Sequence, residues 1–69
     1  MKLSARNTLS GKVTKIKMGA VAAQVHVDIG GGNTVTSVVT ADAVAELGLD
    51  VGHDVQVVIK ATDVLLATE

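Results

Sequence analysis

Ser4-Ala5-Arg6-Asn7 sets a hydroxyl, a guanidinium and a carboxamide beside one another near the start of the chain. All three side chains donate hydrogen bonds, and the guanidinium offers a planar fork that can meet two oxygens at once, so the cluster suits an oxygen-rich anion. A second cation, Lys60, emerges from an apolar run near the other end, in Ile59-Lys60-Ala61-Thr62-Asp63-Val64. A tetrahedral dianion needs several donors converging on its oxygens and enough positive charge to offset its lost hydration. Arg6 and Lys60 supply charge, Ser4 and Thr40 add hydroxyls, and the backbone N–H groups of Ala5 and Ala61 complete a candidate shell. Thr40 also stands at the start of a predicted helix, where unpaired N–H groups and the helix dipole favour an anion, although Asp42 in the first turn opposes this.

Other polar residues carry weaker signals. Gly30-Gly31-Gly32 lacks the Lys-Ser/Thr that completes a phosphate-binding loop and leads into a strand, so it reads as turn chemistry. His26 shares a strand face with Gln24 and Asp28, and His53 follows Gly52 in a turn. A metal site built on them lacks a third ligand, so both histidines read as solvated and no metal is expected to be coordinated directly by the protein. Lys12, Lys15 and Lys17 read as a soluble face of the first strand.

The elements that position these residues follow from periodicity. Leu9 to Met18 has strand character, but the apolar set Leu9, Gly11, Val13 slips by one residue to Ile16, Met18, which predicts a bulge near Thr14-Lys15. After a turn at Gly19-Ala20, Val25, Val27 and Ile29 alternate with Gln24, His26 and Asp28, as a strand buried on one face requires. Gly30-Gly31-Gly32-Asn33 predicts a tight hairpin, and Thr34 to Thr40 is β-branched at nearly every position. Ala41 to Leu47 changes to a helical period, with Thr40 as N-cap and Gly48 as the stop. A strand from Asp54 to Lys60 and a short last strand from Val64 to Ala67 complete the chain. Three strands, a short helix and two strands is the order of the five-stranded Greek-key barrel of the OB-fold, an all-β class with its helix between strands 3 and 4.

Composition narrows the function. The chain has 69 residues, no cysteine, no aromatic residue and no proline, and 48% of it is apolar. A core this small only just outweighs chain entropy, and with no disulfide available oligomerisation is the remaining prop, into which the surplus of Val, Ala, Leu and Ile fits. Residues 1–69 read as a single domain without repeat or linker, too small to include a DNA-binding or ATP-hydrolysing partner. No apolar stretch approaches the roughly 20 residues of a membrane span and no signal-peptide core follows Met1, so a cytoplasmic protein that engages no membrane is expected. The net charge of −1 gives no general pull on polyanions. Nucleic acid is not an expected partner, because single strands are held on aromatic platforms in a basic groove. An enzyme is not expected either, since no nucleophile with an adjacent base can be identified. An OB-fold nucleic-acid binder and a purely structural subunit are the competing readings, and the second leaves the pairing of Ser4-Ala5-Arg6-Asn7 with Lys60 unexplained.

Taken together, Ser4-Ala5-Arg6-Asn7 and Ile59-Lys60-Ala61-Thr62-Asp63-Val64 resemble the molybdate-binding Mop family, the molbindins. Between them Gly19-Ala20-Val21, Asp28-Ile29-Gly30-Gly31-Gly32, Val39-Thr40-Ala41 and Leu47-Gly48-Leu49-Asp50-Val51-Gly52 follow in the family's order and spacing, so the resemblance covers nearly the whole chain. It implies the OB-fold, a molybdate or tungstate oxyanion held by hydrogen bonds to its oxygens, and a shell at the positions of Ser4, Arg6, Thr40 and Lys60 assembled where two subunits meet. It also implies a hexamer built as a trimer of dimers, with further sites near the threefold axis that Gly19, Ala20 and Val21 would line. Ala43 departs from relatives that carry serine there, which removes one side-chain donor. The implied role is molybdenum storage or homeostasis.

Overall fold

The computed structural model describes residues 7–69. The first strand, β1 (Asn7–Met18), is the spine of a four-stranded antiparallel sheet, because both β2 (Ala22–Gly30) and β4 (Asp54–Ile59) pair with it, while β3 (Asn33–Thr40) pairs with β2. The order across the sheet is β3-β2-β1-β4, and the helix α1 (Ala41–Leu47) joins β3 to β4. The fold is therefore all-β with one short helix, as expected.

The one-residue slip read in β1 is a real irregularity. The register with β2 shifts between Val13 and Lys15, so Thr14 is the extra residue, and its hydroxyl donates to the His26 carbonyl at 3.3 Å. Backbone groups of Val13 turn instead to the loop before β4: Val13 N–H donates to the His53 carbonyl at 2.9 Å and Gly52 N–H donates to the Val13 carbonyl at 2.8 Å. Two strands thus share β1, β4 on residues 7–12 and β2 on residues 12–18. Gly31 and Gly32 turn the β2–β3 hairpin with φ of 63° and 79°, the left-handed values that a two-residue hairpin of this type demands and that side chains with a Cβ resist.

Helix α1 is bounded as its sequence predicts. Thr40 Oγ1 accepts from Ala43 N–H at 3.0 Å, and at the other end Gly48 and Leu49 donate back to the carbonyls of Ala45 and Val44, which closes the last turn. The core beneath it is built of small aliphatic residues: Val13, Ala23, Val25, Val27 and Val44 are buried, ringed by Ile16, Ile29, Val39, Leu49, Val55 and Val57.

Gly11 pairs with Val55 on β4 and leaves no room for a side chain against β2. A Cβ there would stand 2.5 Å from Val27 Cγ1 and 2.9 Å from the Asp28 carbonyl oxygen, and the second of these is backbone that cannot step aside cheaply. Gly11→Ala should cost about 1–3 kcal/mol of stability as an overpacked site. Denaturant unfolding of the variant is the check, and a midpoint equal to that of the native chain would show that the two strands yield there without cost.

One expected element is absent from this fold. Val64 to Ala67 was expected to form a last strand, but residues 64–69 adopt no regular structure and are exposed, Leu65 and Leu66 by 91% and 92%. Lys60, expected at the end of the fourth strand, lies just beyond it. Past Ile59 the chain tightens into a 3₁₀ turn over Ala61–Asp63, with Asp63 N–H on the Lys60 carbonyl at 2.8 Å. Past this turn no strand of the sheet pairs with the tail, and a strand without a neighbour has nothing to pair its backbone groups.

Candidate functional site

Ser4, Ala5 and Arg6 lie outside the described residues, so the site is approached through the residues bonded to them. Asn7, joined to Arg6, pairs with Ile59, joined to Lys60, and this pair ends the β1–β4 ladder among the described residues. The Asn7 carboxamide spans the joint, its Nδ2 donating to the Ile59 carbonyl at 3.3 Å from a half-buried position. Lys60 and Ala61 follow, both exposed. In the sequence Asn7 is only one of three donors in its motif, and its cross-strand bond follows from the register of β1 with β4.

Thr40 is not part of this corner. It pairs with Ala22 on β2, and the next residue, Ala23, pairs with Met18, the last residue of β1. Thr40 and Lys60 are thus at opposite ends of the 12-residue β1, separated along it by on the order of 30 Å at about 3.3 Å per residue. Gly19, Ala20 and Val21 lie at the Thr40 end, exposed, with the Val21 carbonyl accepting from Ala41 N–H at 2.8 Å. The chain therefore places Lys60 and Ala61 together and sets Thr40 apart from them, beside the Gly19-Ala20-Val21 turn.

The helix start offers an anion less than its sequence suggests. Ala41 N–H is bound to Val21 and Ala43 N–H to Thr40 Oγ1, so two first-turn donors are already engaged. Because Thr40 Oγ1 accepts that bond, its own hydroxyl hydrogen remains available to donate outward.

The remaining polar groups read as structural. His53 Nδ1 lies 2.9 Å from the Gly48 carbonyl and fastens the end of the helix to the start of β4, and His26 Nε2 lies 3.2 Å from Gln24 Oε1. Among the described residues no three of His, Asp and Glu converge as metal ligands. Lys12, Lys15 and Lys17 are exposed on the outer face of β1, Lys12 within 3.8 Å of Asp54. An open groove of about 670 Å³ runs past Ser10, Lys12, Asp28, Asp54 and Gln56. It contains none of the expected site residues, and two carboxylates around a single lysine make it a poor host for an anion. No helix among the described residues is long and apolar enough to cross a membrane.

The described residues form a small all-β unit with one capped helix, an exposed lysine just past the corner where β1 meets β4 and an exposed threonine hydroxyl at the far end of β1. The TOBE domain family matches residues 3–66, and the chain belongs to it. A probable molybdenum-pterin-binding protein of Haemophilus influenzae is 54% identical over 69 residues, covering 100% of both chains. The molybdate-binding protein from Sporomusa ovata superposes with a TM-score of 0.92 at 35% identity, over 99% of this chain and 100% of that one. The cytoplasmic molybdate-binding protein ModG, in a form with molybdate bound, superposes with a TM-score of 0.85 at 52% identity over 88% of this chain and 43% of its own.

Proposed function

We propose that this protein binds molybdate, and tungstate by the same chemistry, as an intact oxyanion at the contact between two copies of the chain, in the cytoplasm, for molybdenum storage or homeostasis. One observation carries the intersubunit reading: Thr40 and Lys60 stand at opposite ends of β1, so a shell that uses both needs the Lys60 end of one chain against the Thr40 end of another. On the Lys60 side, Ser4, Ala5, Arg6, Lys60 and Ala61 supply two cations, a hydroxyl and backbone N–H groups, and Thr40 of a second copy adds its hydroxyl. Gly19, Ala20 and Val21, exposed at the Thr40 end, are positioned to line a further contact between copies. Such a site binds and releases without forming or breaking a covalent bond, so no catalysis is assigned to it. Some relatives are named for a molybdenum-pterin, but this chain has no aromatic ring on which a pterin could stack, which favours the inorganic oxyanion.

Assembly also accounts for the surface. Val21, Val38, Leu47, Leu65 and Leu66 are all more than two-thirds exposed in the single chain, a surplus that contact between copies would cover. The sheet order leaves room for one more strand between the free edges of β3 and β4, and Val64 to Ala67 is the segment we assign to it in the assembled oligomer, where it would complete a five-stranded OB barrel. Equilibrium dialysis of the purified protein against molybdate, sulfate and single-stranded DNA, with the mass followed by light scattering, tests the whole reading. Molybdate retention by an assembly several times the mass of one chain, hexameric by resemblance, is expected. A monomer at micromolar concentration, or equal retention of sulfate, would remove it.

A further inference from the structure

Asn7 has a role in the proposed site that its side-chain chemistry alone does not suggest. Lys60 follows the last described rung of the β1–β4 ladder, and the end of a ladder is where strands fray. Two hydrogen bonds oppose that. Asn7 Nδ2 holds the Ile59 carbonyl at 3.3 Å, and Asp63 N–H holds the Lys60 carbonyl at 2.8 Å, so the backbone that carries the Lys60 side chain is fastened immediately before and at that residue. The Asn7 bond is the cross-strand one, and it ties the residue bonded to Arg6 to the residue bonded to Lys60. We infer that Asn7 is a positioning residue: its carboxamide clamps the end of β4 to β1 so that the Lys60 ammonium is set for an oxyanion before it arrives. This rests on the molybdate reading for its consequence in binding, but the clamp itself does not.

The carboxamide fits the task for a chemical reason. The Ile59 carbonyl accepts from the Asn7 carboxamide, and a carboxylate would offer it no donor while placing negative charge beside an anion site. A serine hydroxyl is too short to span the strands from that position. A site ordered in advance loses less affinity to the ordering of its side chains on binding, which is where the clamp acts.

The test uses the full chain with Asn7→Leu, which keeps the bulk and removes the donor, and Asn7→Ser, which is smaller and remains informative if the leucine variant fails to assemble. Molybdate dialysis should show affinity weakened about three- to tenfold in either variant, at unchanged oligomer mass. In a chain already carrying Lys60→Met the same Asn7 substitution should cost less than about twofold, because its effect passes through Lys60. An equal loss in both backgrounds, or no loss in either variant, would overturn the assignment. Amide exchange at Lys60 and Ala61, measured without any anion, reads the clamp separately: faster exchange in the variants is expected and unchanged rates would overturn it. Failure of the native chain to retain molybdate would strike the functional reading alone and leave the exchange result to decide the clamp.

Discussion

Lys60→Met should weaken molybdate binding at least about tenfold, while Lys15→Met should change it by less than about twofold. The substitution at Lys60 keeps most of the apolar stem and removes the charge, so in the proposed shell a dianion is left under-compensated where water has been displaced from it. Lys15 makes a good control because it too is exposed, but it stands within β1, paired with His26, beyond the bulge and away from the Asn7–Ile59 corner. Its charge reaches the anion only through solvent, where interactions fade over about 8 Å at physiological ionic strength. Calorimetric titration of both variants at low and high chloride separates a built site from diffuse attraction. Equal losses, both erased by salt, would mean that Lys60 holds no anion.

Arg6→Lys keeps the positive charge and is expected to weaken binding by about ten- to a hundredfold. A guanidinium gives two parallel hydrogen bonds to one oxyanion, whereas an ammonium gives a point contact, and a charged hydrogen bond of this kind contributes roughly 1.5–3 kcal/mol. The oligomer should survive the change, since the positive charge at this position is kept. Affinity equal to that of the native chain would assign Ser4-Ala5-Arg6-Asn7 a structural role in place of a binding one. Together the two substitutions divide the site by chemistry, Lys60 testing charge and Arg6 testing geometry at constant charge.

Much of the local structure was legible residue by residue. The one-residue slip in the apolar pattern marked the bulge at Thr14, the glycine run marked the hairpin, and Thr40 and Gly48 marked the two ends of α1. Each of these is a relation between near neighbours in the chain, governed by backbone dihedrals and by hydrogen bonds that close within a few residues, so composition and spacing suffice. The same is true of the donor chemistry in Ser4-Ala5-Arg6-Asn7, which is a property of side-chain types.

Tertiary structure decided which of those residues stand together. Pairing of β4 with the first half of β1 carries Lys60 to the Asn7 corner, while pairing of β3 with β2 carries Thr40 to the other end of the molecule. Nothing in the spacing of residues 6, 40 and 60 reveals that division, because strand register is set by which faces are buried around Val13, Val25 and Val27, and the β1–β4 pairing closes across more than forty intervening residues. The expected strand at Val64 to Ala67 failed for a related reason. Its residue types favour a strand, but a strand exists only where a neighbour pairs its backbone, and after the 3₁₀ turn past Lys60 no strand of its own sheet pairs with it. Sequence thus determined the local elements and the donor chemistry, whereas strand pairing determined that Lys60 and Thr40 of one chain stand at opposite ends of β1.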